Sequence, residues 1–217
     1  MIVHNLSTSN TILNKFVAEI RNIDKQKDAM RFRKNIERIG EILSYELSKE
    51  LTYKNQTITT PLGKKTISLV DEKMVLCSIL RAGLPLHQGV LNYFDDIENA
   101  FISAYRYHPD NNEKFEIAVE YLASPSLNDK TLIIADPMLA TGLSMINVIE
   151  ALKSHGTPKQ LHIVAVIGAK QGIEYITKQL PENTHLWIAT IDDKLNNKGY
   201  IVPGLGDAGD LAFGSKL

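Results

Sequence analysis

Thr131-Leu-Ile-Ile-Ala-Asp-Pro-Met-Leu-Ala-Thr-Gly-Leu-Ser144 begins as an apolar run, stops at an acidic residue, and passes through hydroxyl and glycine residues into a helical stretch. A short apolar run without alternation is a strand buried on both faces, as in a sheet covered by crossover helices. The order of residue types after it suggests an anion site. A dianionic phosphate needs several converging N–H donors, and a tight turn at a helix N-terminus supplies them with a favourable dipole. Gly142 lets the backbone approach closely, and Thr141 and Ser144 can add hydroxyl donors. Asp136 suits phosphate poorly, but at a strand end it can accept from the two ribose hydroxyls, so that one loop holds a phosphoribosyl group. The competing reading makes Asp136 and Ser144 helix caps. Neither GxGxxG nor GxxxxGK[ST] occurs.

Further strands are expected at Met74 to Leu80, Ala100 to Tyr105, His162 to Ile167 and Leu186 to Ile191, with helices at Leu84 to Tyr93, Ser144 to Ser154 and Gln171 to Gln179 between several of them. This alternation predicts an α/β fold, a mostly parallel central sheet flanked by helices, with ligands at the carboxyl ends of the strands. Two N-terminal helices precede it, Thr11 to Asn22 and Lys27 to Leu51. The second carries Phe32, Ile36, Ile39, Leu43 and Leu47 at steps of three and four, a packing stripe. Thr52 to Leu69, with the punctuation Thr60-Pro61-Leu62-Gly63, reads as a projecting β-hairpin arm suited to a subunit interface. Residues 1–217 are taken as one domain, with a helical region 1–51 and an arm 52–69.

The chain of 217 residues has a formal charge of −1 and no run of like charges, which argues against a nucleic-acid tail or a membrane-surface patch. No apolar run is long enough to span a bilayer, and the start lacks a signal-peptide layout, so a cytoplasmic location is expected. The single cysteine, Cys77, sits in an apolar run and reads as a small core hydrophobe. The histidines show no metal-ligand spacing.

Gly204, Gly206 and Gly209 lie within six residues, a backbone that can fold tightly and expose its own amides to a small planar base. The edge of such a base carries hydrogen-bond donors and acceptors that backbone groups alone can complement. Arg81 follows an apolar strand and suits phosphate; Arg106 follows the next. Asp192 and Asp193 are neighbours on a strand and point to opposite faces, so at most one enters a site; Asp192 is expected to support the glycine-rich segment.

Asp136-Pro-Met-Leu-Ala-Thr-Gly-Leu-Ser144 is similar to the phosphoribosyl diphosphate (PRPP) loop of uracil phosphoribosyltransferases. Gly199-Tyr-Ile-Val-Pro-Gly-Leu-Gly-Asp-Ala-Gly-Asp210, followed by Phe213-Gly214, resembles the same family's uracil-binding stretch. The likeness runs from about Lys25 to the C-terminus and includes Ser78-Ile-Leu-Arg-Ala-Gly83 and Thr190 to Asn196. It departs at Leu143, where the family commonly has a second glycine, and over Tyr107 to Glu120.

The resemblance implies a type I phosphoribosyltransferase fold and transfer of 5-phosphoribosyl from PRPP to N1 of uracil, giving UMP and diphosphate. It assigns PRPP to Arg81, Arg106, Asp136, Pro137, Met138, Leu139, Ala140, Thr141, Gly142, Leu143, Ser144 and Asp207. Uracil falls to Ile201, Gly206, Asp207 and Ala208. Asp136, Arg106 and Asp207 are the implied catalytic residues; for Asp207, general base, water organiser and diphosphate contact stay open, the resemblance favouring the last. Mg²⁺ is expected to arrive with PRPP rather than in a protein cage. Uracil and PRPP are the expected partners, GTP is admitted as an effector, no nucleic acid or membrane is expected, and a homodimer or dimer-based higher oligomer is implied.

Overall fold

The computed structural model describes residues 1–107 and 116–215, with backbone alone at 104–107 and 116–119. In chain order the elements are β1 (Ile2–Asn5), α1 (Leu13–Arg21), α2 (Ala29–Ser48), β2 (Tyr53–Thr60), β3 (Gly63–Val70), β4 (Met74–Leu80), α3 (Leu84–Leu91), β5 (Glu98–Tyr107) and β6 (Glu116–Ala123). They continue with β7 (Thr131–Ala135), β8 (Met138–Leu139), α4 (Leu143–Leu152), β9 (Gln160–Ala169), α5 (Lys170–Gln179), β10 (His185–Asp192), β11 (Lys194–Leu195), β12 (Ile201–Val202) and α6 (Ala208–Phe213).

The main sheet runs β1-β10-β9-β7-β4-β5-β6, with β8 added on β9. Every pairing is parallel except β5 with β6 at one edge. Both faces are covered, which explains the continuous apolar strands: along β4, Leu76 packs on one side with the α2 stripe, while Val75, Cys77 and Ile79 face the side that holds Met145, Val148 and Leu152 of α4. Phe32, Ile36, Ile39, Leu43 and Leu47 are all buried, so the predicted stripe is the face that α2 lays on the sheet. Burying each such side chain stabilises the fold by roughly 2 kcal/mol. No helix among the described residues is long and apolar enough to cross a membrane.

One expectation changes. Residues 1–51 are not wholly helical, because Ile2–Asn5 forms an edge strand on β10. Its four residues are too few to show a period, and its partner lies at the far end of the chain. The stretch Tyr107 to Glu120, read as a departure from the family's loop, includes the start of β6, which pairs antiparallel with β5; residues 108–115 lie outside the described residues. The arm is a two-stranded hairpin, β2 with β3, in register Tyr53 with Val70 through Thr60 with Gly63.

At the β1 edge, three histidines surround the single tryptophan. His4 stacks on Trp187 with centroids 3.7 Å apart, and His4 Nε2 lies 3.0 Å from His185 Nδ1. Trp187 Nε1–H donates to His162 Nδ1 at 3.0 Å, which requires that nitrogen to be unprotonated. Burial first, and then the neighbouring His185, push His162 down from 6.5 to about 4. A histidine lowered on folding contributes stability that is full above pH 6.5 and is lost as pH falls towards 4. Urea denaturation followed by circular dichroism should give a loss of roughly 2 kcal/mol between pH 7 and pH 5. His162→Gln keeps an acceptor for the indole and should remove most of that loss.

Candidate functional site

Parallel neighbours place the ends of β4 and β7 side by side, so Arg81 and Asp136, each one residue past its strand, enter the same cleft. After Ala135 the chain does not leave the sheet at once. Asp136 N–H donates to Val164 O, the Pro137 carbonyl accepts from Val166 and Ile167 N–H, and Met138–Leu139 pairs again with β9. The first half of the loop is thus held by sheet hydrogen bonds. Pro137 and Leu139 are buried, which leaves their backbones to serve the site.

The second half is held by contact. Gly142 has φ +81°, and α5 runs directly beneath it: a Cβ on Gly172 would sit 2.0 Å from the Ala140 carbonyl oxygen. Asp136 and Ser144 do not cap α4. The cap residue is Gly142, with no side-chain hydrogen bond, and the Asp136 carboxylate accepts from Met138 N–H at 3.3 Å. Thr141 Oγ1 accepts from Leu143 N–H at 3.4 Å, and the N–H groups that follow it in the first turn of α4 suit an anion. Leu143 is the first helical residue and has no positive φ, so the place where the family commonly has glycine makes no demand for one here.

Opposite this loop stands α6. Asp207 caps it, accepting from Asp210 N–H at 3.0 Å, and Arg33 binds its far end through the Ala212 carbonyl at 2.6 Å. Arg81 Nη2 donates to the Gly214 carbonyl at 3.0 Å and lies 3.4 Å from Asp210 Oδ1. The guanidinium, two-fifths exposed, lines the cleft.

The glycine-rich segment between β12 and α6 is tied down from behind. Asp192 Oδ2 accepts from Gly204 N–H at 2.8 Å, and both Asp192 oxygens accept from Arg21, at 2.7 and 2.9 Å. Burial pushes the Asp192 carboxyl up, but the hydrogen bonds from Arg21 and Gly204 outweigh it and hold it below the usual carboxylate range. Asp193 points away and pairs with Lys170 on the surface. Gly204 has φ +63°, and a Cβ there would meet the Ile201 carbonyl at 2.1 Å.

Together these segments enclose a cleft of about 420 Å³. Of the sequence-predicted residues, Arg81, Asp136, Met138, Ala140, Ser144, Asp207 and Ala208 line it, while Thr141 and Gly142 line a small adjoining concavity. Ile201 is buried and Gly206 lines a separate concavity beside Arg21, so neither is among the residues lining the cleft. Arg106 falls on β5, and its side chain lies outside the described part of the structure. Gly209, one of the three closely spaced glycines, also lines the cleft, as do Ala82, Gly199 and Tyr200, which the sequence offered only as members of the resembling stretches with no role of their own. The signal for Tyr200 was an aromatic residue inside the glycine-rich stretch. Gly172 and Arg21, which act from outside the cleft, left no local signal.

A family model described as uracil phosphoribosyltransferase matches residues 7–215. The chain is 52% identical to a uracil phosphoribosyltransferase of Porphyromonas gingivalis over 217 residues, covering 100% of both chains. Among solved structures it is similar to the AQ2163 protein from Aquifex aeolicus, with a TM-score of 0.87, 29% identity and all of both chains covered. It also shares a fold with a hypoxanthine phosphoribosyltransferase from Staphylococcus aureus, with a TM-score of 0.51 and 18% identity over 75% of this chain and 76% of that one.

Gly172→Ala tests the packing under the anion loop. The new methyl meets backbone that cannot turn aside, so a loss of roughly 1–3 kcal/mol is expected, seen by calorimetry as a fall in Tm of about 5 °C. Inorganic diphosphate should bind more weakly in the same variant.

Proposed function

The chain belongs to the uracil phosphoribosyltransferase family, and from that membership we propose how its cleft divides the work of moving 5-phosphoribosyl from PRPP to N1 of uracil, giving UMP and diphosphate. The observation that carries the reading is the meeting of three distant segments, 81–82, 136–144 and 207–209, around one cleft. The 5-phosphate sits on the loop from Met138 to Ser144 and the first turn of α4. Asp136 accepts from the ribose hydroxyls. Arg81 and Arg106 take the diphosphate.

Breaking the bond between C1 and diphosphate builds positive charge on the ribose ring and negative charge on the leaving group. Catalysis then rests on positioning and electrostatics, and no protein nucleophile is needed. Uracil enters from the opposite face of C1, so the anomeric centre inverts, and as the C1–N1 bond forms the N1 proton passes to the departing diphosphate or to water. Its edge is read by backbone groups around Ile201, Gly206 and Ala208. Asp207 uses one carboxylate oxygen to cap α6, and the second is available towards the ribosyl diphosphate. The cleft suits Mg²⁺ carried in on the phosphates of PRPP: two carboxylates, Asp136 and Asp207, line it and would lie beside the ion. When bound, the ion neutralises charge on the departing diphosphate.

We also propose that the arm joins two copies of the chain in a homodimer. The register puts Ile58, Ile67 and Leu69 on one face, each more than a third exposed, while the other face bonds within itself through Thr57 with Thr66 and Ser68 with Asn55. A lone two-stranded hairpin is marginal in water, and a second copy would cover Ile58, Ile67 and Leu69, which share their face with Lys54, Gln56 and Lys65. Ile58→Asp with Ile67→Asp should shift sedimentation from dimer to monomer; an unchanged sedimentation coefficient would contradict the arrangement.

The activity is tested by UMP formation from uracil, PRPP and Mg²⁺, beside cytosine, orotate and hypoxanthine. UMP should form from uracil alone. Asp136→Asn should lower kcat and PRPP affinity by roughly tenfold or more, whereas Ala208→Val should raise the KM for uracil and spare PRPP. Equal loss of PRPP affinity in both would contradict the division.

A further inference from the structure

Arg21 ends α1 and lines neither the main cleft nor the small concavity beside it, yet its guanidinium is held at four points. Its Nη1 and Nη2 grip the two oxygens of Asp192, Nη1 also donates to the Gly204 carbonyl at 3.1 Å, and Nη2 lies 3.4 Å from Thr190 Oγ1. Gly204 N–H closes the ring on Asp192. Both backbone groups of Gly204 are therefore held, one by the carboxylate and one by the guanidinium, at a residue whose left-handed backbone no side chain secures.

We infer that Arg21 is a positioning residue for base recognition, fixing through Asp192 the direction of the backbone groups in the 201–208 segment. This rests on the proposed reading of that segment as the uracil site. Backbone recognition of a base edge works only while amides and carbonyls hold their directions, because a rotated peptide presents the wrong partner. The clasp supplies what side chains supply elsewhere. A lysine at the same place keeps the charge but not the planar fork that reaches Asp192 and the Gly204 carbonyl at once. The phosphate side, held by β9 and α5, does not share this clasp.

Steady-state kinetics of Arg21→Gln and Arg21→Lys, with uracil and PRPP varied separately, test this. Both variants should raise the KM for uracil roughly tenfold or more, leave the KM for PRPP within about twofold, and narrow the discrimination against cytosine. Ile39→Val, which loosens the core under α2, should move none of these at a similar fall in Tm. An unchanged uracil KM, or parallel rises for both substrates, overturns the inference. Should Arg21→Gln not fold, Arg21→Lys carries the test alone. Wild-type protein that forms no UMP would instead remove the functional reading on which the inference stands.

Discussion

Parallel pairing of β7 between β4 and β9 is the constraint on which the site depends. All five residues of β7 are buried, with hydrogen bonds on both edges. Neighbouring parallel strands end at the same side of the sheet, so residues far apart in sequence arrive together without any loop having to search for another. The strand also limits what can follow it. Because Pro137 O and Met138–Leu139 remain bound to β9, the anion loop is an extension of the sheet rather than a free excursion.

Much of this was legible because the relevant signals are local. The apolar runs at Met74–Leu80 and Thr131–Ala135 coincide with β4 and β7, since a strand buried on both faces must be apolar throughout. The stripe from Phe32 to Leu47 showed which side of α2 packs inward. The segment from Asp136 to Ser144 announced a tight turn between a strand and a helix, and it lies between β7 and the start of α4 with Gly142 in the left-handed region. What escaped had its cause elsewhere in the chain. Residues Ile2–Asn5 become a strand only because β10 offers an edge, and Gly172 is required only because Ala140 lies on top of it. Arg21 looked like any basic residue at a helix end. Asp192 was assigned to support of the glycine-rich segment, but its partner could not be named until α1 was seen to end beside β10.

The two halves of the cleft are held by different forces. The loop from Asp136 to Ser144 is stiffened by hydrogen bonds of the sheet and by direct contact between backbones at Gly172. The segment around Gly204 hangs on the nearly buried ion pair of Arg21 with Asp192. Such a pair gains little net stability after its desolvation cost, but it is strongly directional, and losing one partner leaves a charge uncompensated. Its effect here is to fix the direction of both backbone groups of Gly204.

Cys77 has no exposed surface, and burial pushes its thiol up to about 12. Thiolate is the form that reacts with oxidants and alkylating agents. The folded protein, with no other cysteine in its chain, therefore offers oxidative stress no thiol handle, neither a sulfenic acid to form nor a mixed disulfide to regulate it. Its sulfur chemistry begins only when the sheet opens, which makes the thiol a recorder of unfolding rather than a participant in the cell's redox traffic.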